Sequence, residues 1–290
     1  TRTNADQTND TFGGGAAKPS VNALITTAND GNSTHQLRAS VAPVVGAVGY
    51  AWFWGSAGSE VLGAISSIAS VSLTSAPTGT QTAASLGTAD NSANLLAFDG
   101  LLTQALKPGS GAAITIQPQG TAGQGTPLTS DNAGGIVEID GALKFMWDVH
   151  RLSPDTIWVS SQEALNISRK IVVGAAASAQ RFVYDINDQM VGGGIIVRSY
   201  LNRFSMQGGN AIDIKIHPNM PAGTLLMTTR ALPYPLSGVG NLMQIRTRQD
   251  YYQIEWPLRS RRYEYGIYAD EVLQHYFPPA LAVITNIGNG

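Results

Sequence analysis

From residue 95 onward the apolar positions fall into short bursts whose spacing names the elements. FDGLLTQAL predicts a short helix stopped by Lys107-Pro108-Gly109, and ITIQP a short strand before a Gly/Pro/Thr loop that runs through 130. GGIVEIDGALKFMWDVH predicts a helix with Ile136, Ile139, Leu143, Met146 and Trp147 on one side, ending before Ser153-Pro154. TIWVS (156–160) predicts a buried strand. Ser160 or Ser161 then caps a helix, SQEALNISRKIVV, that stops at Gly174. RFVYDI, the GGGIIVRSY run, AIDIKIHP and TLLMTT predict strands, and LPYPLSG a proline-locked loop. MQIRTR, YYQIEW and RRYEYGIY predict further strands, ADEVLQHY a short helix or turn, and LAVITNI a closing strand.

The N-terminal third is patterned differently. Residues 1–35 are polar, with GGG at 13–15, and predict a flexible arm. In 36–75, LRASVAPVVGAVGYAWFWG and AISSIASVSLTS are β-branched and aromatic runs separated by GSAGSE. Tyr50, Trp52 and Trp54 share a parity and so one strand face, which predicts a small antiparallel β unit. Residues 76–94 read as a polar linker, making 36–94 a β-rich subdomain with its linker. The whole is α+β, mostly β toward the C-terminus, with no repeat period.

Charge changes this picture. Only 13% of the residues are charged, about half the usual share of roughly 25%. Such a surface either exposes neutral polar groups or is covered by partners. Residues 1–140 carry four Lys/Arg against nine Asp/Glu, or −5, and residues 141–290 fourteen against eleven, or +3; together these give −2. That balance argues against a general basic nucleic-acid face. The absence of cysteine removes disulfides, thiolate zinc sites and cysteine nucleophiles, and fits a reducing cytosol. No apolar run reaches the roughly 18 residues of a bilayer span. The polar opening TRTNADQTND carries no signal-peptide pattern, and its Thr1 in place of an initiator Met reads as a processed or trimmed end.

Motifs for chemistry are weak. FGGGAAKPS (12–20) lacks the Gly-Lys-Ser/Thr ending of a phosphate loop, and Pro19 follows its lysine. VGGGIIVRSY enters a strand rather than a helix. His35, His150, His217 and His275 have no metal-ligand spacing between them. His150 reads as a helix end and His217-Pro218 as a strand end. GSAGS (55–59) has the wrong spacing for a nucleophile elbow, and Asp270-Glu271 reads as a helix start. No catalytic constellation appears, so no enzyme, cofactor or metal is expected.

The densest chemistry is the stretch 249–279, QDYYQIEWPLRSRRYEYGIYADEVLQHYFPP, with six of the ten tyrosines. Tyr252, Ile254 and Trp256 share one face; Arg259, Arg261, Tyr263, Tyr265 and Ile267 share another, with Arg262 and Glu264 opposite. Tyr and Arg are favoured at interfaces. Asp250, Glu255, Glu264, Asp270 and Glu271 interleave with the arginines. Tyr252, Trp256, Arg259, Arg261, Arg262, Tyr263 and Tyr265 are therefore candidate structural or interface residues. They are expected to lie buried in a sheet, with the arginines paired to carboxylates.

From Leu95 the order of segments resembles the C-terminal half of tailed-bacteriophage major capsid proteins of the Hong Kong 97 capsid fold. The residues that carry this are LLAFDGLLTQAL (95–106), IDGALKFMWDVH (139–150), RLSPDTIWVSSQEALNISR (151–169), SYLNRFSMQGGNAIDIKIHPNMPAGTLLMTT (199–229), with its Pro221-Ala222-Gly223-Thr224 turn, and 251–287. The resemblance implies an axial domain over 95–240, centred on about 139–235, and peripheral-domain return strands over 241–290. It implies a homo-oligomer of pentameric and hexameric capsomers forming an icosahedral shell. Other phage head proteins would be partners, packaged DNA a weak non-specific contact, and no membrane is involved. Such a subunit is made in a bacterial cytoplasm and ends in the virion. An encapsulin-type compartment and a β-rich adhesin module are the alternatives. The family's N-terminal arm, extended loop and long spine helix precede the FDGLL region, and no long helix pattern is visible in 1–94. Residues 36–75 read instead as a β insertion of immunoglobulin-like flavour.

Overall fold

The computed structural model describes residues 17–25, 36–90, 100–174, 184–185, 190–191, 197–206, 209–230, 232–234, 238–260 and 262–289. Its strands in chain order are β1 (Leu37–Ser40), β2 (Tyr50–Trp54), β3 (Val61–Ser66), β4 (Ser70–Leu73), β5 (Ala113–Ile116), β6 (Thr156–Val159), β7 (Tyr184–Asp185), β8 (Met190–Val191), β9 (Ser199–Asn202), β10 (Asn210–Ile216), β11 (Leu225–Thr228), β12 (Met243–Ser260), β13 (Arg262–His275) and β14 (Leu281–Thr285). The helices are α1 (Leu101–Leu106), α2 (Val137–His150) and α3 (Ser161–Gly174). The molecule is thus mixed α+β, mostly sheet with few helices. Among the described residues, no helix is long and apolar enough to cross a membrane.

A six-stranded sheet, ordered β5-β14-β11-β6-β10-β9, organises the core. β14 pairs parallel with β5 and antiparallel with β11, β11 pairs antiparallel with β6, and β6 runs parallel to β10. Strands covered on both faces read as continuous apolar runs, which explains LLMT and LAVIT. Leu225, Met227, Ala282 and Ile284 face the main core with Ile157 and Val159. Their neighbours Leu226, Leu281 and Val283 face the other way, onto Ala105 of α1.

Helix α2 lays Ile139, Ala142, Leu143 and Met146 on the main face. Ile136, expected inside this helix, is its fully buried N-cap, and Trp147, expected in the core, sits half-buried beneath the Arg151 guanidinium. Arg151 closes the helix in the left-handed conformation (φ 55°), and its backbone N–H donates to Met146 and Trp147 carbonyls. Helix α3 starts as expected: Ser160 Oγ accepts from the Glu163 N–H at 3.3 Å while the Ser160 hydroxyl donates to the Glu163 carboxylate.

Residues 37–73 form one long hairpin rather than an immunoglobulin-like unit. β1 pairs with β4 and β2 with β3, so the four strands nest as a single two-stranded arm with a valine-rich bulge at 41–49. Its turn is secured where the Trp54 indole lies over Gly63; any Cβ there would occupy the ring's position. The stretch expected as linker takes part too. Gly79, Leu62 and Ala83 N–H groups bond across between 79–83 and 60–62, adding a third segment beside β3. Asn22 donates to Glu60 at 2.6 Å, which lays part of the described 17–25 segment against the same tip. Of the expected flexible arm, residues 1–16 and 26–35 lie outside the described residues.

The base of the arm is locked to the core by Asn286. Its Oδ1 accepts from the Ala69 N–H at 2.7 Å, and its Nδ2 donates to the Gln117 carbonyl at 2.7 Å. Ser70 Oγ accepts from the Gly123 N–H, and Gln119 donates to Ser40 Oγ at 2.6 Å.

Two further expectations change. MQIRTR and YYQIEW are not separate strands but one, β12, running from Met243 to Ser260. Pro257 is accommodated inside it because the ladder slips between Trp256 and Ser260. ADEVLQHY is not a helix or turn but the end of β13: Glu271 to His275 pair with Thr247 to Met243. Asp270-Glu271 accordingly starts no helix. Most of RFVYDI and GGGIIVRSY lies outside the described residues.

Candidate functional site

The feature the fold leaves without a structural task is the ribbon of β12 and β13. Among the described residues its strands pair only with each other, whereas the core sheet is covered on both faces around β11 and β14. A two-stranded ribbon alone in water is marginal. Its length and side chains therefore need a reason beyond the packing of this chain.

The ribbon is anchored where it leaves the core. Leu242 is buried, Met243 packs on both core clusters, and the Tyr276 N–H donates to the Leu242 carbonyl at 3.0 Å. His275, paired across from Met243, has both ring nitrogens buried and without hydrogen-bond partners. That burial lowers its pKa below the ordinary histidine value and favours the neutral ring.

Beyond the base the two faces separate. Glu255 pairs with Tyr265 and Gln253 with Ile267, so Tyr251, Tyr263, Tyr265 and Ile267 share one face. They are 71%, 74%, 64% and 68% exposed. On the opposite face Tyr252 stacks on Tyr268 with ring centroids 5.7 Å apart, flanked by Ile254 and Trp256. Even there Trp256 is 46% exposed.

The expected burial of this stretch is thus overturned. Parity correctly placed large groups on both faces, but among the described residues no second layer closes either face. Of the candidate residues, the ribbon brings Tyr252 and Trp256 to one face and Tyr263 and Tyr265 to the other. Arg261 lies outside the described residues. Arg259 and Arg262 lie on the strands beside the ribbon's turn, their side chains outside the described ones. One described arginine of the ribbon does meet a carboxylate: Arg248 pairs with Asp270 at 2.6 Å.

Sequence reasoning missed a second exposed apolar group. Val44, Val45 and Val48 of the arm's bulge stand out from the hairpin, with the Val44 N–H donating to the Tyr50 hydroxyl at 2.9 Å. The signal was present in APVVGAVG, whose apolar residues follow neither a strand nor a helix period.

Among the described residues no group of three His, Asp or Glu side chains could hold a metal ion. The polar clusters are structural. The buried Tyr200 hydroxyl donates to Asp140 at 2.8 Å and accepts from the Ile136 N–H, and burial raises its pKa. Arg203 reaches Asp131 at 3.3 Å, and Asp131 also accepts from the Ala133 and Gly135 N–H groups, which hold its carboxylate below the usual range. Glu163 is buried with Oε1 unpartnered, and desolvation raises its pKa.

No protein-family model matches the chain, and no curated protein matches it.

Proposed function

We propose that this chain is a structural subunit of a closed protein shell, of the kind formed by tailed-bacteriophage major capsid proteins. The observation that carries the reading is the β12–β13 ribbon, which presents aromatic groups on both faces and would be marginal as an isolated two-stranded hairpin. An assembly that sandwiches it supplies the missing layers. The low charge of the surface supports such tiling, because neighbours meet without strong repulsion. Two points of the capsid resemblance gain support from geometry. The order of strands and helices from 101 to 285 builds one sheet-centred body, with the ribbon leaving it near residue 243. The arm at 37–73 is an extended hairpin preceding that body, where the resemblance places an extended loop. The long spine helix of that family has no counterpart among the described residues.

In this reading the mechanism is mechanical. Homo-oligomeric capsomers, pentamers and hexamers, join with other head proteins around DNA held by weak non-specific contact. No bound group is needed, and the product resides in a virion assembled in a bacterial cytoplasm. The test is negative-stain microscopy of the chain expressed with its neighbouring genes, beside sedimentation of the chain alone. Regular shells are expected. A monodisperse monomer that binds carbohydrate would instead favour the adhesin module, and shells loaded with an enzyme an encapsulin-type compartment.

A further inference from the structure

The ribbon carries tyrosines at 251, 252, 263, 265 and 268, and the register of its strands sets one pair apart. Tyr252 and Tyr268 stand directly opposite each other, and their rings stack with centroids 5.7 Å apart and planes 30° apart. The others have no tyrosine across from them: Tyr265 faces Glu255, and Tyr251 and Tyr263 fall where the ladder slips.

Gly266 shapes the pair. The Tyr268 ring folds back along its strand over this glycine, and a Cβ at 266 would lie 2.7 Å from Tyr268 Cε2 and 2.9 Å from its hydroxyl oxygen. A glycine weakens a strand unless an aromatic ring covers the bare backbone, which the Tyr268 ring does here. Tyr268 is 40% exposed, so the pair is open to an oxidant in solvent. The chain has no cysteine. No thiol of its own therefore intercepts an oxidising equivalent, and no disulfide can tie the two strands.

A tie at this place has a use. The ladder slips between Thr247 and Gln249, between Gln249 and Tyr252, and between Trp256 and Ser260. Residues 252–256 against 264–268 form the outer uninterrupted run, and the Tyr252–Tyr268 pair opens it. A strand pair without a covered face specifies its register weakly.

We propose that Tyr252 and Tyr268 are a site of oxidative coupling, where a dityrosine bond staples β12 to β13. Each phenol gives up one electron and its hydroxyl proton and becomes a phenoxyl radical. The radicals join through ring carbons ortho to oxygen, a Cε of Tyr252 to a Cε of Tyr268. Each of those carbons then loses its hydrogen as a proton while the ring oxygen takes one up. The net loss is two electrons and two protons. Hydrogen peroxide, acting through a haem peroxidase in one-electron steps, accepts them and becomes two waters. The coupling does not depend on the shell reading.

The test treats the full chain with peroxide and a haem peroxidase, and reads dityrosine fluorescence and peptide mapping by mass spectrometry. The wild type is expected to run as a single chain in a denaturing gel and to yield peptides joined at 252 and 268, lighter than their sum by two hydrogens. Tyr252→Phe and Tyr268→Phe each keep a ring and are expected to lose this product, whereas Tyr263→Phe with Tyr265→Phe is expected to keep it. Gly266→Ala retains both phenols but displaces the Tyr268 ring, and is expected to lose most of the product. Circular dichroism checks that each variant folds. The stapled chain is also expected to exchange amides of 252–256 and 264–268 more slowly than the untreated one. Bonds confined to Tyr251, Tyr263 or Tyr265, or formed only between chains, overturn the proposal. So does an absent 252–268 product while free tyrosine in the same vessel is coupled, a Gly266→Ala chain that couples as well as the wild type, or exchange that the bond leaves unchanged.

Discussion

Asn286 ties the base of the arm to the core beside the Ser70 and Gln119 contacts. Its φ is 60°, a left-handed conformation that asparagine tolerates better than most residues. Its amide satisfies the Ala69 N–H and the Gln117 carbonyl in a buried setting. Asn286→Ala leaves both without partners and is expected to lower unfolding stability by about 2–4 kcal/mol in urea titration, at 1–3 kcal/mol per orphaned group with partial relaxation. The arm should also become sensitive to limited proteolysis while the core stays resistant. Equal sensitivity of both would mean that Asn286 serves the core and not the arm. Glu163 makes an opposite kind of residue argument. Its pKa is raised in the folded state, so its contribution is fully present below the unfolded value of 4.5 and is lost as pH rises through the folded value. Glu163→Gln keeps an acceptor for the Ser160 hydroxyl and removes the buried charge. It is expected to be more stable than wild type by about 1 kcal/mol at neutral pH, with the gain shrinking toward pH 4. A gain that does not vary with pH would show that the carboxyl is not the titrating group.

At the scale of elements, the ribbon and its base behave differently. His275 has its pKa lowered by burial, so the neutral ring's contribution is present above the unfolded value of 6.5 and lost as pH falls through the lowered folded value. Mild acid should therefore loosen the ribbon where it meets Leu242 and Met243, before the core responds. Hydrogen exchange is expected to show earlier loss of protection in 243–247 and 271–275 than in β11 or β14, and His275→Leu to abolish that difference. Further out, amides of 251–256 and 263–268 should exchange fast in the isolated chain and become protected on assembly; slow exchange in a monomer would mean the ribbon needs no partner. The core elements were legible because each answers to a local pattern. α2 is a 3.6-residue stripe, and LLMT and LAVIT are apolar runs of strand length. β13 was misread because Asp270-Glu271 followed by Val272 and Leu273 has the look of a helix start. Its true state is fixed by residues 243–247, far back in the chain. The hairpin nesting of β1 with β4 was hidden for the same reason. Exposure of the ribbon was not legible at all: alternation shows that a strand has two occupied faces, but not what lies against them.

The whole molecule joins a body with two covered sheet faces to an arm and a ribbon that bury little within the chain. In the proposed shell the cooperative unit lies above the single chain, and the force that closes it can be separated by conditions. With 13% charged residues, long-range electrostatics contribute little beyond orienting the approach. In the proposed shell the exposed Tyr251, Tyr263, Tyr265 and Ile267 would supply the contact area instead. Apolar association is entropic near room temperature and weakens on cooling, whereas charge pairing is screened by salt. Sedimentation of the assembled chain should therefore shift toward subunits when it is cooled from 25 °C to near 4 °C. Across about a tenfold range of sodium chloride it should change much less. Tyr265→Phe, which keeps the ring and removes the hydroxyl, should preserve that temperature response. Tyr265→Ser should shift the assembly midpoint to higher protein concentration by at least about tenfold, the equivalent of 1.4 kcal/mol per contact. Assembly that instead collapses with added salt and ignores cooling would place the contact energy in charge pairs and make the aromatic faces secondary.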